Sequence, residues 1–287
     1  MKYRIDRLHC KSITLTISLN PRISIIIPCF NQAHFLGDAV NSVLNSDYSN
    51  IEIIIINDGS TDNSKEKAEE FCARHQNIIF IDQQNKGVSY ARNAGIKIAT
   101  GKYILPLDGD DMISPEYIPG AIKVLEENPN VKVVYCKALK FNENREWSWR
   151  LKQFSLQSLA KDNMIFVSAV FRKSDWKVIG GYSEDLIKGH EDWEFWIKLL
   201  KSGGEVTKLP FVGFYYRITG ESRRKAYSKV SKKNTVDYIN KNHREFAYQY
   251  LNGPLRYQRS TSKFINTMMK WLSSLPLFLT VIYSSIL

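Results

Sequence analysis

Short apolar runs alternate with amphipathic stretches from Ile23 onward. Buried strands are predicted at residues 24–31, 51–62, 77–83 and 102–108. Between them, apolar residues recur at helical spacing in 33–47, 65–75 and 87–99. A strand, helix, strand rhythm of this kind predicts a mixed, mostly parallel α/β sheet flanked by helices.

The second half of the chain continues less regularly. Residues 114–128 and 189–204 have helical patterns, and 131–141, 164–173 and 211–217 are strand-like, whereas 142–158 has no clear period. We see no internal repeat. The predicted organisation is an N-terminal extension (1–21), one α/β domain (22–220) and a basic helical C-terminal region (221–287), called the annex below.

Charge is distributed unevenly along the 287 residues. Residues 1–200 have 25 Lys and Arg and 25 Asp and Glu, while residues 201–287 have 15 and 4, so the net charge of +11 arises in the last third. Residues 271–287 have no charge, but they number only 17 and include Pro276, which is short for a bilayer span. We expect this tail to lie at an anionic membrane surface, with packing on the domain as the alternative.

Other features of the composition indicate the expected cellular location. Residues 1–21 lack a continuous apolar core and do not resemble a signal peptide. The four cysteines form no CxxC pair, which favours reduced thiols over a zinc site or a disulfide framework. The expected location is therefore cytoplasmic, with peripheral attachment to the inner face of the cell membrane.

A carboxylate cluster follows the strand at 102–108. Asp108, Asp110 and Asp111 would repel one another unless a cation or hydrogen-bond donors hold them. Oxygen ligands on a tight turn suit Mg²⁺ or Mn²⁺, whereas Met112 and Pro119 exclude an EF-hand. The alternative is a solvated turn that caps the next helix.

Two further stretches place polar side chains near the carboxyl ends of predicted strands, and a third places carboxylates in the first turn of a helix. Asp58 in NDGSTD could accept hydrogen bonds from a base or ribose, and Lys86 and Arg92 in NKGVSYARNAG could contact phosphate. Glu191 and Asp192 begin a helix, where its dipole favours the ionised form that a general base needs. Taken singly, each stretch is also explained by a helix cap or an ordinary surface charge.

In this order, the motifs resemble those of the family 2 glycosyltransferases, which have the GT-A fold, a Rossmann-like nucleotide-binding architecture. The matching stretches are SIIIPCFN, IEIIIINDGSTDNS, NKGVSYARNAGIKIATGKYILPLDGDD, VFRKSDWKVIGGYSED and HEDWEFWIKL. No Walker loop or GxGxxG competes with this interpretation.

The resemblance implies roles for individual residues. LDGDD looks like a DxD motif, with Asp110 as a ligand of Mn²⁺ or Mg²⁺ and Asp108 as a contact to the ribose or to the metal. Asp192, beside Glu191, looks like the catalytic base. The implied donor-binding residues are Pro28, Asn31, Asn57, Asp58, Lys86, Arg92, Asp108 and Asp110. Two positions depart from the family pattern: Asn57 replaces the first acid of DDGS, and Thr219 replaces a frequent late histidine.

The implied activity is inverting transfer of a hexosyl or N-acetylhexosaminyl group. The donor is expected to be a nucleoside-diphosphate sugar, of the UDP class, and the acceptor a glycan or a lipid-linked hydroxyl in cell-surface polysaccharide synthesis. Alternatives are a nucleotidyltransferase, an inactive nucleotide-sugar-binding or membrane adaptor protein, and a nucleic-acid-binding protein marked by steep salt dependence. Nucleic acid is not among the expected partners.

Overall fold

A computed structural model describes residues 20–186, 189–219 and 229–274 of the chain. The predicted N-terminal extension lies outside these ranges except for its last two residues. Residues 275–287 of the apolar tail, and Cys10, also lie outside them. Cys29, Cys72 and Cys136 are free thiols.

The described residues form one mixed sheet with flanking helices, which confirms the predicted fold class. The strands are β1 (Ile23–Cys29), β2 (Ile51–Asp58), β3 (Ile78–Gln83), β4 (Tyr103–Pro106), β5 (Met112–Ile113), β6 (Val131–Phe141), β7 (Glu146–Trp149), β8 (Val170–Arg172) and β9 (Glu205–Arg217). The helices are α1 (Ala33–Leu44), α2 (Ser64–Arg74), α3 (Val88–Ile98), α4 (Tyr117–Glu127), α5 (Leu156–Leu159), α6 (Lys173–Ile179), α7 (Glu191–Leu200), α8 (Lys229–Asn242), α9 (Arg244–Leu251) and α10 (Ser262–Ser273).

Strand order in the sheet is β3-β2-β1-β4-β8-β6-β9-β5, with β7 paired to β6. The first four strands are parallel, and β6 is also parallel to β9. The strands β8, β5 and β7 pair antiparallel with their neighbours. The central strands β1 and β2 are buried along their whole length, which explains their runs of isoleucine.

Some predicted elements change in the second half of the chain. The strand predicted over 164–173 is strand only at Val170–Arg172, and residues from Lys173 form α6. The stretch without a period contains β7 and α5. These elements are short, so their pairing depends on contacts with distant strands and leaves little periodicity in the sequence.

The annex helices are packed onto the α/β domain. Val236, Ile239, Phe246, Leu251 and Leu255 belong to the same buried hydrophobic cluster as the sheet. Among the described residues, no helix combines the length and apolar character that crossing a bilayer requires. The division at residue 220 stays a prediction.

Candidate active site

The carboxyl ends of β1, β2 and β4 lie side by side at one edge of the sheet. Pro28 is in register with Ile56, and Cys29 with Asn57. The parallel pairing of β1 with β4 brings the Asp108 turn to the same edge. Residues predicted as a donor site from three separate motifs are therefore neighbours in the fold.

Asn31 joins the loops that follow β1 and β2. Its backbone has a φ of 54°, a conformation that asparagine tolerates better than most residues. The Asn31 N–H donates to Ser60 Oγ at 3.0 Å, and Asn31 Oδ1 accepts from the Thr61 N–H at 2.8 Å. The side chain of Asn31 is therefore directed at the neighbouring loop, which it orients.

The carboxylate of Asp58 organises the segment that precedes α3. It accepts hydrogen bonds from Gln83 Nε2 at 2.7 Å and from the backbone N–H groups of Lys86 and Gly87, each at 2.9 Å. The next residue, Gly59, has a φ of 72°, and a Cβ there would lie 2.7 Å from Asn85 N. Asp58 therefore depends on a glycine for its close approach to this segment.

Asn57 and Lys86 lie beside Asp58 but have different neighbours. Asn57 Nδ2 donates to Asp82 Oδ1 at 2.8 Å, and Asn57 Oδ1 accepts from the Ser60 N–H at 3.2 Å. The Lys86 ammonium lies 3.4 Å from Tyr90 Oη and 4.5 Å from the ring centre. Lys86 therefore does not contact Asp108 and Glu191 as Arg92 does, although Lys86 and Arg92 are close in sequence.

Arg92 is buried and bridges two of the predicted site motifs. Its Nη2 lies 2.7 Å from Asp108 Oδ1, and its Nη1 lies 3.0 Å from Glu191 Oε1. Burial disfavours the charged guanidinium, but Asp108 and Glu191 outweigh that cost and raise the pKa of Arg92. The permanent charge of Arg92 thus holds the DxD turn against the start of α7.

Arg217 of β9 holds the DxD turn in place through hydrogen bonds. Asp111 Oδ1 accepts from the Arg217 N–H at 2.9 Å, and Arg217 Nε donates to the Asp110 carbonyl at 2.8 Å. Arg217 Nη2 also reaches Asp38 Oδ2 at 2.7 Å, which links the turn to α1. Arg217, the last residue of β9, therefore positions the carboxylates.

The residues of this turn fit a hard divalent ion. Asp111 is buried, and its Oδ2 has no hydrogen-bond partner. Burial and then the neighbouring Asp110 and Asp108 raise the pKa of Asp111 well above its ordinary value. Within the described ranges, no three His, Cys, Asp or Glu residues converge as a metal cluster. An ion here would take its remaining ligands from water and substrate phosphate, as Mg²⁺ commonly does.

Asp192 is the second residue of α7, at the wall of a cavity. Asp192 Oδ2 accepts from Asn163 Nδ2 at 2.8 Å, and Asp192 Oδ1 accepts from the Trp193 N–H at 2.8 Å. Burial and the adjacent Glu191 charge raise the pKa of Asp192 to about 7. The helix terminus favours ionisation, as the sequence suggests, but desolvation outweighs it.

The cavity of about 380 Å³ brings the carboxylates together with groups from distant segments. Arg92, Asp108, Asp110, Glu191 and Asp192 line it. The predicted donor residues Pro28, Asn31, Asn57, Asp58 and Lys86 do not line it. Those five residues lie along the sheet edge, so the site has a sheet-edge part and a cavity part.

Aromatic side chains form another wall of the cavity. The ring centres of Trp149 and Tyr216 are 5.0 Å apart, and those of Phe166 and Phe214 are 4.4 Å apart. Trp149 comes from the stretch that has no sequence period. Aromatic faces of this kind can stack on the apolar face of a sugar ring.

The annex also contributes to the cavity, through Arg259. Arg259 Nη1 lies 3.0 Å from Asp162 Oδ1, and its guanidinium lies 5.1 Å from the centre of the Trp193 ring. Sequence reasoning does not identify Arg259, Asp162 or Asn163 as site residues. Their spacing in the sequence contains no motif, and only packing brings them to α7.

Two family models match the chain. The model described as glycosyl transferase family 2 matches residues 24–181, more than half of the chain. The model described as the N-terminal domain of galactosyltransferase matches residues 165–221. Chondroitin synthase of Escherichia coli is 28% identical over 195 residues, which are 66% of this chain and 28% of that protein. The chain spans between 16% and 36% of the length of three curated relatives that it matches.

Solved structures share the fold. S. aureus TarS 1–349 in complex with UDP-GlcNAc aligns with a TM-score of 0.66 and 20% identity, over 89% of this chain and 76% of that one. The mannosyltransferase PcManGT from Pyrobaculum calidifontis, in complex with GDP-Man and Mn²⁺, aligns with a TM-score of 0.62 and 16% identity, over 92% and 79%. At these identities the likeness shows the fold alone.

Proposed function

Because the chain belongs to glycosyl transferase family 2, we propose that it transfers a sugar from a nucleoside-diphosphate sugar to an acceptor hydroxyl, with inversion. One observation supports this most directly. A single cavity is lined by Asp192, whose pKa is about 7, and by the carboxylates Asp108 and Asp110. Transfer by a single displacement requires a general base, here with a pKa near neutrality, and oxygen ligands for a divalent cation beside it.

The nucleotide binds along the sheet edge in this proposal. Pro28, Asn31, Asn57 and Asp58 surround its base and ribose, with Lys86 at the outer side. We expect a UDP-sugar. TarS was solved with UDP-GlcNAc and PcManGT with GDP-Man, so nucleotide-sugar binding is compatible with this fold.

Mn²⁺ or Mg²⁺ is the proposed cofactor, held by Asp110 and Asp108. When bound, it would neutralise charge on the departing diphosphate. The Oδ2 of Asp111, which has no hydrogen-bond partner, lies in the same turn. Arg92 keeps Asp108 in place, and Arg217 keeps the Asp110 backbone in place.

Asp192 acts as the general base in the proposed reaction. It takes the proton from the acceptor hydroxyl while that oxygen forms a bond to the anomeric carbon. The bond from the anomeric carbon to the diphosphate oxygen breaks, and its electron pair leaves with the nucleoside diphosphate. Glu191 shares Arg92 with Asp108 and raises the pKa of Asp192, so it assists the base without contacting the proton.

The acceptor occupies the aromatic part of the cavity. Trp149 and Tyr216 provide a stacking surface, and Arg259 provides a hydrogen-bond donor from the annex. We propose a glycan or lipid-linked acceptor in cell-surface polysaccharide synthesis, reached from the cytoplasm at the inner face of the membrane. The relative chondroitin synthase is named for a polysaccharide product, which is compatible with this class.

The test is calorimetric binding of UDP, GDP and CDP, with and without Mn²⁺. Asp110→Ala should lose the metal-dependent part of binding, while Asp47→Ala, an exposed carboxylate outside the cavity, should bind as the parent does. Absence of binding for every nucleotide would overturn the proposal. Binding without release of nucleoside diphosphate from any UDP-sugar or GDP-sugar would favour the inactive adaptor.

A further inference from the structure

The C-terminal helix α10 has its polar face buried. Ser262 is 0% exposed and Asn266 4%. Asn266 Nδ2 donates to the carbonyls of Leu251 at 3.1 Å and Pro254 at 2.8 Å, and Asn266 Oδ1 accepts from Arg256 Nε at 2.9 Å. Polar contacts therefore seat this helix on the rest of the annex.

The outward face of α10 is apolar. Phe264, Met268 and Trp271 follow one another at helical spacing and are 72%, 43% and 59% exposed. Met269, 53% exposed, lies on the side of α10 that faces the groove next to α9. A helix on a globular protein normally turns its apolar stripe to the core, so α10 is inverted. An apolar face of this kind marks a contact with a partner.

Basic residues lie on and next to α10, and this part of the sequence has no acidic residues. Lys263 and Lys270 belong to α10, and Arg256 and Lys270 line a groove of about 460 Å³ between α9 and α10. From residue 246 to 287 the sequence has four Lys and Arg and no Asp or Glu. The partner should therefore combine apolar depth with negative surface charge.

We propose that the outward face of α10 docks on the surface of an anionic lipid bilayer. Phe264, Met268 and Trp271 enter the boundary between head groups and acyl chains, and Lys263 and Lys270 face the lipid phosphates. Tryptophan is enriched at that depth. The 12 residues of α10 are too few to span a bilayer, which takes about 20.

A second copy of the chain fits this surface less well. Two α10 helices facing each other would bring their lysines together, and like charges across an interface oppose association. Residues 275–287 contain no Asp or Glu that could pair with the lysines. A bilayer satisfies both features.

Cosedimentation of the full chain with vesicles tests the proposal, without any substrate. We expect binding to vesicles of phosphatidylcholine mixed with phosphatidylglycerol and much weaker binding to phosphatidylcholine alone. The variant Phe264→Ser/Met268→Ser/Trp271→Ser should bind roughly tenfold or more weakly. Lys263→Gln/Lys270→Gln should reduce the preference for the anionic vesicles.

Matched controls separate this surface from general hydrophobicity and from the tail. Ile98→Ser/Val178→Ser removes exposed apolar side chains elsewhere on the surface and should bind vesicles as the parent does. A chain truncated after residue 274 should still bind vesicles more tightly than the same truncated chain with the triple substitution. Unchanged vesicle binding in the full-length triple variant would overturn the proposal. So would a parent dimer that becomes monomeric in that variant by sedimentation velocity.

Nucleotide calorimetry on the same variants keeps the two proposals distinguishable. Retained nucleotide binding in the triple variant would show that the fold is intact. Loss of vesicle binding would then be specific to α10. A chain that binds vesicles but no nucleotide would leave this inference standing and remove the proposed activity.

Discussion

Asp192 shows how a single residue responds to competing fields. Its place in the first turn of α7 favours the carboxylate, and Arg92 acts in the same direction. Burial and the Glu191 charge act in the opposite direction and are larger, so its pKa is raised to about 7. An ordinary surface aspartate would be a much weaker base.

This pKa predicts the pH dependence of transfer. Asp192 accepts a proton only when ionised, so below pH 7 the rate should fall about tenfold per pH unit. Asn163→Ala removes a hydrogen bond to the carboxylate, so the pKa should rise and the acidic limb should move to higher pH. The measurement is release of nucleoside diphosphate against pH.

Asp192→Asn is the reference for that profile. It should abolish transfer and leave nucleotide binding intact, because Asp192 lies in the cavity and away from the sheet-edge residues. If the transfer rate of the parent chain stays constant as the pH falls through 7, the assignment of Asp192 as the general base is contradicted.

Arg92 predicts a combined loss of stability and activity. Arg92→Met leaves Asp108 and Glu191 without their shared cation, and breaking a buried ion pair costs about 3 to 5 kcal/mol. We expect the lower end of that range, because both carboxylates line the cavity and are partly exposed to solvent. Urea unfolding measures the change, and Arg74→Met, at an exposed pair on α2, should change stability by less than about 1 kcal/mol.

The same variant should also move the pH profile. Arg92 lowers the pKa of Asp192, so any residual transfer in Arg92→Met should require a higher pH than the parent. An acidic limb at its parental position would show that Arg92 is not coupled to the base.

At the scale of elements, buried hydrogen bonds connect strands to loops. Glu52 in β2 is 1% exposed and accepts from Ser24 Oγ, from the Thr100 N–H at 2.5 Å and from the Gly101 N–H at 3.0 Å. Burial raises the pKa of Glu52, but these donors outweigh burial and lower it. The link fastens β1 and β2 to the turn before β4.

Glu52→Gln should therefore destabilise the sheet. Hydrogen bonds to a charged acceptor contribute about 1.5 to 3 kcal/mol, and we expect a loss in that range at neutral pH. A lowered folded-state pKa means that this stability is present above the unfolded pKa and disappears as the pH falls through the folded value. Urea unfolding at several pH values measures it, with Glu70→Gln on exposed α2 as the control.

The contacts of Arg217 in β9 predict that this residue supports metal binding at the DxD turn. Arg217→Met removes the donor to the Asp110 carbonyl together with the link to Asp38, so metal-dependent nucleotide binding should weaken by roughly tenfold or more. Asp38→Asn weakens only the outer link, at a residue that is 55% exposed, and should bind as the parent does. Calorimetry with Mn²⁺ compares the two, and equal affinities in both variants would contradict the positioning role.

At the scale of the whole molecule, the annex and the α/β domain share a buried contact. His243 Nε2 lies 2.8 Å from Glu194 Oε1, and both side chains are buried. Glu194 is two residues after Asp192 in α7. The annex therefore supports the helix that presents the proposed base, in addition to placing Arg259 at the cavity.

A double-mutant cycle tests this support. Glu194→Gln and His243→Ala should each destabilise the chain, and their coupling energy should lie between about 0.5 and 3 kcal/mol because the residues touch. The exposed Glu70 and Arg74 pair should give a coupling energy below about 1 kcal/mol. Additive effects at Glu194 and His243 would mean that the annex stabilises α7 in another way.

The sequence alone determined the order of most strands and helices, because burial leaves a period of two or of 3.6 residues in local sequence. It also placed the ends of β1, β2 and β4 at a common edge, since parallel strands in one sheet share a direction. The resemblance to family 2 glycosyltransferases followed from ordered motifs, and the family match confirms it. The individual roles of the site residues stay predictions.

Only the tertiary structure decided which groups meet across long separations. Arg92 and Glu191 are 99 residues apart in the chain, and Arg217 and Asp38 are 179 apart. No local period records such pairs, because they depend on how finished elements pack. The raised pKa of Asp192 has the same origin, since desolvation comes from the residues that surround it. The inverted face of α10 likewise emerged only when the neighbours of Asn266 were known, because periodicity shows that a helix has an apolar side but not which side is covered.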